Sequence, residues 1–99
     1  MPFAMVAKTK GGADVLAHME IDIPQAGAHE IMVRHEAIGV NFIDIYIREG
    51  AYPWPVDKNL ILGSEGCGIV EAVGEGVDGI AVGDRVAYAH PNGAYATHR

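Results

Sequence analysis

Hydrophobic and polar positions change places at short intervals along the first forty residues. Residues 3–8 read as a short strand, with Gly11-Gly12 as the turn after it. Residues 15–23 form a second extended segment, closed by Pro24 and Gly27. The third, residues 30–38, alternates well: Ile31, Val33, His35 and Ala37 point one way, and Met32, Arg34 and Glu36 the other. The links between these segments are too short for helical crossovers, so antiparallel pairing is expected.

The period then changes. Phe42 and Tyr46 are four apart, as are Ile43 and Ile47, and Asp44 and Arg48, which is helical spacing. Asn41 serves as N-cap, Asp44 sits in the first turn, and Gly50 stops the helix. Residues 51–59 are a loop, since Pro53 and Pro55 forbid a paired central strand. Alternation returns over 68–74, then a glycine-rich turn, then a strand over 85–90. Asn92-Gly93 is a tight-turn pair, and 94–99 begins another strand that stops with the chain. The pattern predicts a mainly β domain with one short helix, without repeats, low-complexity stretches or linkers.

Composition narrows the function classes. A 99-residue chain with 49% hydrophobic residues suits one globular domain with a modest core. The net charge of −6 and seven scattered basic residues argue against nucleic acid and against a polybasic membrane patch. No apolar run approaches a membrane span, and Met1-Pro2-Phe3 lacks the charged start of a signal peptide, so a cytoplasmic protein is expected. The single cysteine, Cys67, leaves no internal disulfide framework.

Several motifs compete for attention. Gly74 to Gly79 spells G-x-G-x-x-G, but only Ile80-Ala81-Val82 separate it from the next Gly-Asp turn. A dinucleotide fingerprint needs a helix there, whose free N–H groups hold the pyrophosphate, so this stretch reads as a turn. The histidines at 18, 29, 35, 90 and 98 form no pair with metal-ligand spacing. Three glycines within residues 63–68 imply a close backbone approach, and Cys67 between two of them reads as a small packed side chain. Residues 41–52 are the richest in chemistry: an amide, a carboxylate, an arginine and two phenols. Periodicity alone makes them a capped amphipathic helix followed by a loop with packed aromatics.

Those residues resemble the medium-chain dehydrogenase/reductase superfamily, in its zinc-independent quinone oxidoreductase branch. The matching stretches are 37–50 (AIGVNFIDIYIREG), Tyr52-Pro53, 63–74 (GSEGCGIVEAVG), 83–88 (GDRVAY) and 93–96 (GAYA), in order and without large gaps. The resemblance implies a GroES-like bent β-barrel with short helices, here truncated, with residues 1–99 forming part of that catalytic domain. It implies that the nucleotide-binding domain of about 150 residues lies outside this chain. Relatives that bind zinc carry a cysteine where this chain has Asn41 and a histidine where it has Ser64, so no zinc is expected. By the same resemblance Asn41, Tyr46 and Tyr52 face the reacting ring, and Phe42, Ile43, Asp44, Ile45 and Tyr46 line the nicotinamide end of NADPH. The implied activity is NADPH:quinone oxidoreduction on a quinone or enone by a full-length homodimer, with the isolated fragment inactive. Two alternatives stand beside it: another zinc-free reductase of enoyl or alkenal double bonds, and a non-catalytic structural protein reusing the fold.

Overall fold

The computed structural model describes all residues from Met1 to Arg99. Strand β1 (Phe3–Ala7) is flanked on both sides, by β2 (Leu16–Glu20) and by the short β4 (Leu60–Ile61), in an antiparallel sheet of order β2-β1-β4. The second segment is a strand only from Leu16, because Ala13–Val15 close into a 3₁₀ turn after the two glycines. β3 (Ile31–Ile38), β5 (Glu65–Val73) and β6 (Arg85–Ala89) make the second sheet, of order β3-β5-β6. The helix α1 (Phe42–Glu49) follows β3.

β3 therefore does not extend the sheet of β1 and β2, as antiparallel pairing of three successive segments had suggested. His29, at φ 63°, turns the chain, and its N–H donates to the Glu75 carbonyl at 2.8 Å. The Gly74 N–H in turn donates to Glu30 O at 2.7 Å, so the start of β3 is drawn onto the end of β5. The expected alternation along β3 also fails locally. Register shifts between Met32 and Val33, where Glu71 of β5 is skipped in the pairing, and both side chains are buried.

β5 begins at Glu65, so most of the glycine cluster lies inside the strand rather than ahead of it. A Cβ on Gly68 would run into the Arg34 carbonyl of the neighbouring strand. The G-x-G-x-x-G stretch is a turn, with Gly76 and Gly79 at φ +82° and +81°, and leads to β6 without a helix. Asn92 and Gly93 both take positive φ, as a tight turn requires.

Residues 94–99, read as a strand, instead form a seam shared by the two sheets. Met5 N–H donates to Tyr95 O at 2.8 Å and Thr97 N–H to Phe3 O at 2.9 Å, on the β1 side. On the β3 side, His35 N–H donates to Thr97 O and Arg99 N–H to Val33 O, at 2.8 and 2.9 Å. Thr97 serves β1 through its N–H and β3 through its carbonyl, and only isolated bridges at Ala96 and His98 result. The outer strands β2 and β6 are not paired to each other, and the sheets remain open where a barrel was expected. Ala7, Ile47, Leu60 and Leu62 form the core between α1 and the first sheet, with Val15, Leu16, Trp54 and Tyr95 packed around them.

Candidate active site

α1 is fixed at both ends and along one face. At its start, Asn41 is extended (φ −130°, ψ 156°) and its N–H donates to Asp44 Oδ2 at 3.0 Å, while Asp44 N–H donates to Asn41 O. At its end, Gly50 takes φ +93° and donates to Ile47 O. The Trp54 indole N–H also donates to Ile47 O, at 2.6 Å, satisfying a carbonyl that the last turn leaves without a helical partner. Arg48 Nε donates to Gly11 O, and Gly11 N–H donates to Arg48 O, both at 3.0 Å. Ile47 is buried in the core.

The opposite face is bare. Phe42 is 77% exposed and Tyr46, one turn on, 49%. Ile43 and Val40 are exposed beside them, and Tyr52 is 49% exposed in the loop after the helix. Asn41 is half-buried at the head of this face. Of the residues expected to act together, Asn41 and Asp44 are in direct hydrogen-bond contact, and Phe42 and Tyr46 share a helix face. No hydrogen bond joins Tyr52 to Asn41 or Tyr46.

Asp44 points the other way. It is 2% exposed, and its carboxylate accepts from the Tyr95 hydroxyl at 2.8 Å and, more weakly, from Ser64 Oγ at 3.5 Å. Burial, then the hydrogen bond to Asp44 and its charge, push the Tyr95 phenol well above its ordinary pKa, so it stays a neutral donor. Asp44 thus organises the entry to α1 from inside. Ile45, half-buried, lines with Leu16, Ile38, Leu62 and Tyr95 an apolar groove of about 600 Å³ between the sheets.

The sequence reading missed Tyr95, whose partner is 51 residues away. Gly63, at φ +100°, leaves room for the Tyr95 ring, since a Cβ there would stand 2.6 Å from it. The sequence reading also missed His35 and Tyr88, whose side chains meet at 2.7 Å. Chemically, the outer face offers aromatic surface for a planar ring, with an amide and phenols able to donate to an oxygen.

Residues 27–98 match the alcohol dehydrogenase GroES-like domain family. The chain is 49% identical over 88 residues to a quinone oxidoreductase of Salmonella typhimurium, covering 88% of this chain and 27% of that protein. It is 52% identical over 87 residues to a quinone oxidoreductase of Pseudomonas aeruginosa, covering 87% and 26%. The crystal structure of Escherichia coli quinone oxidoreductase complexed with NADPH superposes with a TM-score of 0.93 at 43% identity, over 98% of this chain and 30% of that one. The chain therefore spans about 27% of the length of the curated relatives it matches.

Proposed function

Because the chain belongs to the alcohol dehydrogenase GroES-like domain family, we propose that it is the front, substrate-facing part of an NADPH-dependent quinone oxidoreductase that works without zinc. The observation that carries this reading is the division of labour on α1. Its inner face is spent on anchoring, while Phe42, Tyr46 and the neighbouring Tyr52 are left uncovered at the head of which Asn41 sits. Close identity to two quinone oxidoreductases supports the same reading.

The exposed aromatic face fits a flat cofactor ring, and NADPH, when bound, supplies the reducing equivalents. The chain's own residues then have three tasks. Phe42, Ile43 and Tyr46 present an apolar wall that holds ring against ring and keeps water out. The Asn41 amide and the Tyr46 and Tyr52 hydroxyls donate to the acceptor oxygen as it gains charge. Asp44 sets the first turn of the helix in place from below, and Ile45 lines the groove beside it, at the nicotinamide end of the same surface. The donor set suits zinc poorly: Asn41 and Ser64 are neutral, and the Asp44 carboxylate already accepts from Tyr95.

The remaining surface for the nucleotide would come from a further domain, with the longer protein working as a dimer, and the present chain alone would lack turnover. The test is to assay the longer protein carrying this chain, following NADPH loss with a quinone acceptor, beside Asn41→Leu, Tyr46→Phe and Tyr52→Phe. The reading expects turnover by the longer protein, falling as donors are removed. A triple variant with unchanged kcat, in a protein that still folds, would overturn the site assignment.

A further inference from the structure

The loop that carries Tyr52 is held in place by one side chain. At its start, Ala51 N–H donates to Tyr46 O at 2.9 Å, and at its end Asn59 N–H donates to Lys8 O at 3.2 Å. Between them, residues 52–58 make no backbone hydrogen bond and no ion pair. Pro53 and Pro55 have no N–H to give, and every residue from Ala51 to Asn59 except Trp54 is exposed. A stretch with so few contacts has nothing else to offset the entropy of ordering it.

Trp54 is the exception in two ways. Its ring packs against the core of Ala7, Ile47, Leu60 and Leu62. Its indole N–H donates to Ile47 O at 2.6 Å, the only hydrogen bond made by any side chain of the loop. The same carbonyl also accepts from Gly50 N–H at 3.0 Å, so α1 keeps its cap without the indole. The bond therefore serves the loop more than the helix.

The link from this anchor to Tyr52 is short and stiff. Only Pro53 separates them, and its ring fixes φ. Tyr52 and Trp54 each precede a proline, which confines both to extended backbone. Such a segment cannot absorb a shift at Trp54 by bending, so the shift passes to Tyr52, which is 49% exposed and has no hydrogen bond of its own.

We propose that Trp54 is a positioning residue: it pins the 51–59 loop to the end of α1 and so holds the Tyr52 hydroxyl where it donates to the acceptor oxygen. The role rests on the function proposed above and adds a residue that touches neither cofactor nor acceptor. A donor displaced by about 1 Å loses much of its effect on the transition state, up to about a hundredfold in rate. The cofactor ring, resting on Phe42 and Tyr46 of α1, does not depend on the loop. Trp54 should therefore govern kcat and leave the KM for NADPH alone.

The experiment is steady-state kinetics of the longer protein carrying this chain, with NADPH and a quinone, for Trp54→Phe, Pro53→Ala, Tyr52→Phe and the two doubles with Tyr52→Phe. Trp54→Phe keeps a packed ring and removes the indole donor. Pro53→Ala keeps the anchor and softens the link, at an exposed position. Each should lower kcat about fivefold or more, with the KM for NADPH and the melting temperature unchanged. Added to Tyr52→Phe, neither should lower kcat further by more than about twofold. Equal losses with and without Tyr52→Phe, or a KM that moves with kcat, mark a structural role and overturn the proposal, as does an unchanged kcat in both single variants. In those cases a loss in Tyr52→Phe alone leaves the proposed function standing. If Tyr52→Phe itself kept full kcat, the donor role of Tyr52 would fall and the role of Trp54 with it. Should Trp54→Phe fail to fold, Pro53→Ala decides by the same comparison.

Discussion

The Tyr95 hydroxyl donates to Asp44 Oδ2 at 2.8 Å, joining the seam between the sheets to the first turn of α1. Replacing Tyr95 by Phe leaves a buried carboxylate with one donor fewer. Hydrogen bonds to charged groups contribute more than neutral ones, so the variant should lose about 2 kcal/mol in urea denaturation at neutral pH. A loss confined to a few tenths would mean that Asn41 and Ser64 already satisfy the carboxylate.

The same pair predicts an alkaline response. The Tyr95 pKa is raised in the folded chain, by burial first and then by Asp44, so folding favours the protonated phenol. That contribution is complete below the unfolded value of 10.0 and drains away as the pH climbs beyond it. Thermal melting between pH 9 and 11 should therefore fall more steeply in the unsubstituted chain than in Tyr95→Phe.

The parts legible in the sequence are those decided within a few residues. Asn41, Asp44 and Gly50 mark both ends of α1 through contacts no more than four residues long, and the structure places them as caps. Asn92-Gly93 and the Gly74 to Gly79 turn needed only local backbone conformation. The partner of β3 was not legible, because the bonds that draw its start to β5 link Glu30 with Gly74 and His29 with Glu75. Nor was the bulge at Met32–Val33, which exists only relative to a neighbouring strand. At the site, the order of aromatic and polar residues could be read along α1. That Asp44 turns inward depends on Tyr95 arriving from the far end of the chain.

Two glycines separate steric need from backbone strain. A Cβ on Gly68 would collide with the backbone of Arg34, which cannot move without breaking β3–β5 pairing. Gly79 takes φ +81° but has nothing within 4 Å of its Cβ position. Gly79→Ala should cost only the left-handed backbone strain, about 1 kcal/mol. Gly68→Ala should cost about 3 kcal/mol or more and leave little folded protein by circular dichroism. Equal melting temperatures for the two variants would contradict this account of the β5 glycines.

Phe42 gives the sharpest test of the cofactor face, because it does little for the fold. At 77% exposure it packs against almost nothing in the chain, so Phe42→Ala should leave stability within about 0.5 kcal/mol of the unsubstituted protein. In the longer protein carrying this chain, the proposed function gives the same ring a surface to stack on. Losing an aromatic contact there removes about 1 kcal/mol, which is a five- to tenfold rise in KM for NADPH. Tyr46, half exposed on the same face, combines ring and hydroxyl, so Tyr46→Phe should spare that KM and lower kcat instead. The two variants are read against each other in steady-state kinetics. If Phe42→Ala changed neither constant while melting normally, the outer face of α1 would not be where the cofactor ring rests, whatever the likeness of the whole domain to its relatives.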